Sequence, residues 1–234
     1  MAERPESRII YMKVWQAPVR IAHWLMFASV VTLGITGYLI GNPPFSAPVE
    51  ASRIYTFGTI RFLHFLAGYA LLASFLLRLY WGFVGNRFSR WVTMLPVRKW
   101  QWRWMGGEIS SLLWPRIRYR VYTGHSPLGN VSYLLVYLGV LFSIVTGFTL
   151  YAHQKYTPFW RTLGAWGLTL FGHNLNFVHL LHHLMLWFFA IFLVVHLYLV
   201  VYTMVVTRTT EIDTMISGKK FVFEEELASE AEKP

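Results

Sequence analysis

The chain contains four long apolar stretches separated by polar segments. Crossing about 30 Å of hydrocarbon takes roughly 20 helical residues, and each stretch reaches that length. The pattern predicts membrane-spanning helices at about residues 21–40, 59–84, 128–151 and 176–206. The first of these ends where Pro43 and Pro44 follow, because proline cannot continue a helix. We therefore expect an all-α fold, a four-helix transmembrane bundle.

The composition supports a membrane protein over the soluble classes. Of 234 residues, 55% are hydrophobic and only 14% are charged, against about a quarter charged in ordinary soluble domains. Residues 1–210 hold 18 Lys/Arg and four acids, a charge of +14, whereas residues 211–234 hold three Lys and seven acids, a charge of −4. Such a basic excess beside apolar segments indicates an anionic membrane surface and no nucleic-acid partner. We expect one transmembrane domain at 1–210 and an acidic cytoplasmic tail at 211–234.

The basic residues also predict the orientation. The segment 87–120 contains eight Lys/Arg and one acid, which favours the cytoplasmic side. With four crossings, this places both termini in the cytoplasm and predicts a multi-pass protein of the inner cell membrane. Tryptophans are frequent on the same side, and the Trp-rich stretch from Trp100 to Trp114 is typical of an interfacial helical segment.

Most of the nine histidines lie inside the predicted helices, where ionisable side chains by default indicate function. His182 and His196 are 14 residues apart, about 21 Å along a helix and roughly 40° from the same line. His183 is about 140° from His196 and faces elsewhere. Matching depths across the helices gives two pairs: His64 with His182 in the outer half, and His23 with His196 in the inner half.

Two imidazoles from different helices can hold a flat ligand between them. Bis-histidine ligation of haem fills both axial positions of the iron and favours electron transfer. A zinc site requires three or four ligands that converge on one point, which two separate pairs do not supply. The absence of cysteine excludes an iron–sulfur cluster held by this chain alone, and a thiolate site for nickel.

Four further residues fit this interpretation. Gly68 follows His64 by one turn, and Gly37 lies 14 residues after His23, so both leave space beside the outer haem. Arg61 at the outer level and Arg78 at the inner level are candidates to bind haem propionates. The alternative for each arginine is an interfacial anchor.

The chain resembles the di-haem cytochrome b subunit of membrane-bound uptake [NiFe] hydrogenases, which is related to the membrane subunit of respiratory formate dehydrogenases. The matching segments run in order through nearly the whole chain: Ala17–Trp24, Thr36–Gly41, Ile60–Phe65, Arg78–Trp81, Gly85–Arg90, Gly124–Leu128, Thr146–Phe148, His179–His182 and His196–Tyr198.

The resemblance implies two haems b, with His23, His64, His182 and His196 as axial ligands. It also implies a partner, a hydrogenase small subunit with its own membrane-anchoring helix and a large subunit, within a larger oligomeric complex in the lipid membrane. Electrons would pass from iron–sulfur clusters of that partner to membrane quinone, so the chain is an electron-transfer subunit and no enzyme by itself.

Quinone reduction needs protons near the inner haem. His125 is the best placed titratable group for this role, with Tyr122 nearby, although His125 could equally cap or anchor the third helix. Two alternatives stay open for the whole chain. One is the same role for a formate dehydrogenase-type partner, and the other is a haem-free membrane anchor or transporter whose histidines bind a metal or relay protons.

Overall fold

Eight helices and two short strands are present in the described part of the chain. The computed structural model describes residues 9–43, 55–95, 99–113, 122, 124–207 and 211–223. In chain order the elements are β1 (Ile9–Lys13), α1 (Ala17–Gly41), α2 (Thr56–Val84), α3 (Trp91–Met94), α4 (Lys99–Leu113), α5 (Pro127–His153), α6 (Pro158–Leu170), α7 (Leu175–Thr207), α8 (Glu211–Ser217) and β2 (Lys219–Phe223).

Four of these helices, α1, α2, α5 and α7, are long and apolar enough to cross a membrane. Their bounds differ from the predicted ones by a few residues at most, so the all-α class with four spanning helices is confirmed. α4 covers most of the stretch predicted as an interfacial segment. Large apolar side chains remain exposed along α7, such as Ile191 at 64% and Val205 at 72%, as expected for a surface that lipid covers.

Three elements, α6, α8 and β2, lie where the sequence predicted loop or tail. α6 has 13 residues and begins at Pro158, a favourable first position for proline. Residues 211–223 of the predicted tail form α8 and β2, and β2 pairs antiparallel with β1. The remaining tail, residues 224–234, lies outside the described residues, as do residues 44–54 of the first loop.

The chain divides into two compact units. The terminal unit comprises residues 1–21, 77–136 and 195–234, and the central unit comprises residues 22–76 and 137–194. The terminal unit has an apolar core of Val14, Trp15, Val19 and Met94. Its two strands meet at Gly218, whose carbonyl accepts the N–H groups of Val14 and Trp15. The φ of +80° at Gly218 is a conformation that glycine adopts without strain.

In the central unit the spanning helices approach each other at glycines. A methyl group at Gly34 of α1 would lie 3.5 Å from Leu186 of α7, and one at Gly139 of α5 would lie 2.5 Å from the Phe188 ring. Small residues allow this close approach, which membrane helices use in place of a hydrophobic driving force. α6 packs in the same way, since Gly164 faces the backbone and side chain of Ala152.

Candidate functional site

His64 and His182 face each other in the central unit. The ring of His64 on α2 and the ring of His182 on α7 have centroids 6.3 Å apart and planes at 79° to each other. Both residues are half-buried. The structure thus brings together the two histidines that were predicted as the outer pair.

Each of these rings is held by a threonine from a third or fourth helix. Thr36 Oγ1 of α1 lies 2.9 Å from His64 Nδ1, and Thr146 Oγ1 of α5 lies 2.9 Å from His182 Nδ1. Both threonines are buried, Thr36 at 6% and Thr146 at 0% exposure. The Nδ1 atoms are therefore occupied, and each ring has only its Nε2 atom left for another ligand.

A glycine follows each threonine and makes room for the ring. A methyl group at Gly37 would lie 3.3 Å from Cε1 of His64, and one at Gly147 would lie 3.1 Å from Cε1 of His182. Gly37 was a predicted site residue, whereas Gly147 and the two threonines had no assigned role. The signal that could have found them is the Thr-Gly dipeptide that recurs in the first and third spanning helices.

The spacing of the rings fits a metal ion between them. A metal–imidazole bond is about 2.0–2.1 Å long, so two rings on opposite sides of one metal have centroids about 6–6.5 Å apart. The observed 6.3 Å lies in this range. Next to His64, a methyl group at Gly68 would meet no atom within 4 Å, so this face of α2 is open. The donor set and the free space both fit a haem.

His183 differs from its neighbour His182. Its ring packs against Gly41 of α1, where a methyl group would lie 3.2 Å from His183 Cε1. It therefore faces another side of α7, in agreement with the helical phase. His183 is a natural control for experiments on His182, because it has the same chemistry one residue away.

His23 and His196 belong to different units. His23 in the central unit is half-buried, and its ring lies 5.1 Å from the Trp24 ring in an edge-on contact. His196 in the terminal unit is half-buried on α7. Their pairing stays a prediction. Arg61, the predicted outer propionate ligand, is exposed on the second turn of α2.

Arg78 is a fully buried cation in the terminal unit, with 2% exposure. Its Nη2 atom donates to Met94 Sδ at 3.1 Å, and its guanidinium lies 5.2 Å from the Trp91 ring and 5.1 Å from the Tyr133 ring. Among the described residues, its Nε and Nη1 atoms have no hydrogen-bond partner. A buried charge is costly unless an opposite charge compensates it, so this environment fits a bound anion.

His125 lies beside the same tyrosine. Its ring is 5.4 Å from the Tyr133 ring and 4.7 Å from the Trp15 ring. The other predicted quinone-site residue, Tyr122, is buried at 7% exposure, and its carbonyl accepts Lys220 Nζ at 3.0 Å. Lys220 in turn pairs with Glu211 at 2.5 Å. The C-terminal strand therefore anchors Tyr122.

Glu108 of α4 is a buried acid that the sequence pattern did not single out. It is 4% exposed, and its Oε2 atom accepts the Leu128 N–H at the start of α5, at 2.9 Å. Burial raises the pKa of the Glu108 carboxyl above its ordinary value, while hydrogen bonds with Leu128, Tyr122 and Ser126 act in the opposite direction. A proton-binding carboxyl is thus hydrogen-bonded to Tyr122.

The sequence of this chain matches a known protein family. Residues 14–218 match the family model described as prokaryotic cytochrome b561. The chain belongs to this family. The match covers all four spanning helices and both histidines of the observed pair, so the haem that the name implies agrees with the donor set at His64 and His182.

Similar proteins share most of their length with this chain. A probable Ni/Fe-hydrogenase B-type cytochrome subunit of Azotobacter vinelandii is 41% identical over 208 residues, 88% of this chain and 86% of the relative. One from Rhodobacter capsulatus is 35% identical over 218 residues, 88% of this chain and 80% of the relative. A probable Ni/Fe-hydrogenase 1 B-type cytochrome subunit of Escherichia coli K12 is 34% identical, over 92% of this chain and 93% of the relative.

Proposed function

We propose that this b-type cytochrome is the electron-transfer subunit of a Ni/Fe hydrogenase and that it delivers electrons to membrane quinone. When bound, two haems b would carry single electrons between the hydrogenase and the quinone. The observation that carries the proposal is the His64–His182 pair, whose rings lie 6.3 Å apart. The names of the relatives support the hydrogenase as partner.

The chain's own residues would hold the haems as two pairs of histidine ligands. His64 and His182 would hold one iron, and His23 and His196 the other. Arg78 would neutralise a haem propionate, because a buried cation needs an anion. Gly37 and Gly68 would leave room for the His64–His182 haem, and Arg61 would reach its propionates at the membrane surface.

The haem assignment is tested by counting haems in the purified complex. We expect two haems b per chain, and one after His64→Ala or His182→Ala. His183→Ala is the matched control and should retain both, since that ring packs against Gly41. His23→Ala and His196→Ala should each remove the other haem. Two haems in the His64→Ala and His182→Ala variants, or no b-type absorption in the wild type, would refute the assignment.

The quinone would receive its protons in the terminal unit. His125 is the proposed proton donor, since it adjoins Tyr133 and a histidine exchanges protons near neutral pH. His125→Ala should leave both haem spectra intact and slow quinone reduction by about 10²–10⁴-fold if proton transfer limits the rate. Unchanged quinone reduction would exclude His125 from the proton path.

The partner and the orientation have separate tests. Co-purification of a nickel-containing subunit with the tagged chain would support the hydrogenase as partner. Co-purification of a formate dehydrogenase-type enzyme would instead support the second candidate. We propose that both termini face the cytoplasm, on the side of the basic second loop. The orientation is tested with a reporter that is active only outside the cytoplasm. Activity of this reporter when it is fused to either terminus would contradict the proposal.

A further inference from the structure

Two threonine–histidine contacts in the central unit have the same form. In each, a buried threonine of one helix contacts the Nδ1 atom of a histidine on another helix at 2.9 Å. The contacts join α1 to α2 and α5 to α7, so the two rings of one pair are each held by a different helix. Neither threonine is titratable, and neither belongs to the predicted ligands.

The second hydrogen bond of each threonine indicates the direction of the first. Thr36 Oγ1 donates to the carbonyl of Thr32 at 2.6 Å, and Thr146 Oγ1 donates to the carbonyl of Phe142 at 2.9 Å. A hydroxyl has one hydrogen and two acceptor lone pairs. Because the hydrogen points to the helix backbone, the oxygen accepts a hydrogen bond from the imidazole Nδ1–H.

We propose that Thr36 and Thr146 are positioning residues that hold His64 and His182 in the Nδ1–H tautomer and direct both Nε2 atoms toward one iron. This inference rests on the haem assignment proposed above. A neutral imidazole carries a single N–H, so protonated Nδ1 leaves the lone pair on Nε2. Such partners of metal-bound histidines orient the ring and raise its basicity.

Greater ligand basicity stabilises the oxidised iron and lowers its midpoint potential. Replacing threonine by valine preserves the side-chain shape and removes the acceptor. We therefore expect Thr36→Val and Thr146→Val to shift the midpoint potential of one of the two haems to more positive values. The other haem should keep its potential, and the double variant should show a larger shift than either single one.

The chain supplies matched controls for both substitutions. Thr149 is buried on α5, and its hydroxyl donates to the carbonyl of Val145 at 2.8 Å, as that of Thr146 does to Phe142. Ser29 is buried on α1 with the corresponding bond to Leu25 at 2.7 Å. Thr149→Val and Ser29→Ala therefore remove a buried hydroxyl and its backbone hydrogen bond. Thr36→Ser and Thr146→Ser restore the hydroxyl at the tested positions.

The experiment uses the full chain purified with its partner subunits. Potentiometric titration of the visible absorption gives both midpoint potentials, and transfer of haem to apomyoglobin measures retention. We expect the valine variants to show the positive shift together with about 10- to 100-fold weaker retention of one haem. The serine variants and both controls should match the wild type.

Two results would overturn the inference. One is that the valine variants at Thr36 and Thr146 have the same midpoint potentials and haem-transfer rates as Thr149→Val. The other is failure of the serine variants to restore potentials changed or haem lost in the valine variants. Neither result would contradict the assignment of the histidine ligands, because the haem count after His64→Ala tests that assignment independently.

Discussion

The glycine beside His182 offers the sharpest test of the proposed haem site. A methyl group at Gly147 would lie 3.1 Å from His182 Cε1 and 3.8 Å from both ring nitrogens. Carbon atoms in contact prefer about 3.5–4.0 Å, so Gly147→Ala requires the ring or the helix to move by at least about 0.4 Å. Metal–ligand distances tolerate only about 0.2 Å, and the 2.9 Å bond to Thr146 would lengthen as well.

The expected effect follows from the general magnitude of overpacking. Extra methylenes in a packed interior cost about 1–3 kcal/mol, which corresponds to about 5- to 150-fold weaker haem binding. Gly37→Ala should have a smaller effect, because its methyl group would lie 3.3 Å from His64 Cε1. Gly58→Ala is the control, since a methyl group there meets no atom within 4 Å.

The assay is the haem-to-protein ratio of the purified complex during extended washing, with redox difference spectra to identify the haem that leaves. We expect losses in the order Gly147→Ala, Gly37→Ala and Gly58→Ala, with none in the last. Full haem content in Gly147→Ala at wild-type potentials would refute the reasoning. Equal losses in all three variants would show that helix disruption, and no specific contact with the ring, is responsible.

Three further predictions concern charge, protonation and ring orientation. Arg78→Leu should lower the midpoint potential of one haem by about 60 mV or more, a tenfold change for one electron, whereas exposed Arg87→Leu should leave it unchanged in the same titration. The raised pKa of Glu108 means that the folded state favours the protonated acid, so stability should fall as pH rises above 4.5, the ordinary value, through the raised one. Glu108→Gln should flatten this dependence in thermal unfolding, and an unchanged slope would contradict it. The 79° angle between His64 and His182 should give a low-spin ferric signal of large g anisotropy in paramagnetic resonance, and a signal typical of parallel rings would contradict the observed orientation.

The spanning helices could be predicted from the sequence because their signal is local. Each is a predominantly apolar stretch of about 20 residues or more, and the limits set by prolines and charges agree with the structure to within a few residues. α6 was missed because its 13 residues lie between two spanning helices, where glycines and polar residues interrupt the apolar pattern. The β1–β2 pair was missed because it joins the two ends of the chain, and such long-range pairing leaves no periodic signal.

The facing of His64 and His182 followed from helical phase and depth, which are properties of single helices. The hydrogen bonds of Thr36 and Thr146 depend instead on how neighbouring helices approach, and a threonine in an apolar helix has an ordinary explanation in its bond to the preceding turn. The burial of Glu108 could not be predicted from the sequence for a related reason. Its burial depends on how α4 packs against the start of α5, which the Trp-rich sequence of α4 does not reveal.

Histidine and arginine solve the problem of a polar group in the membrane interior in different ways. His64 and His182 can remain neutral, and their Nδ1 atoms are satisfied by threonines, so the pair can form at little cost before a ligand arrives. Arg78 cannot lose its charge, and Met94 with two aromatic rings compensates it only in part. The fold therefore tolerates the histidine pair with or without haem, whereas Arg78 gains its full stability only when an anion is bound. Haem removal should consequently destabilise the wild type more than it destabilises the Arg78→Leu variant.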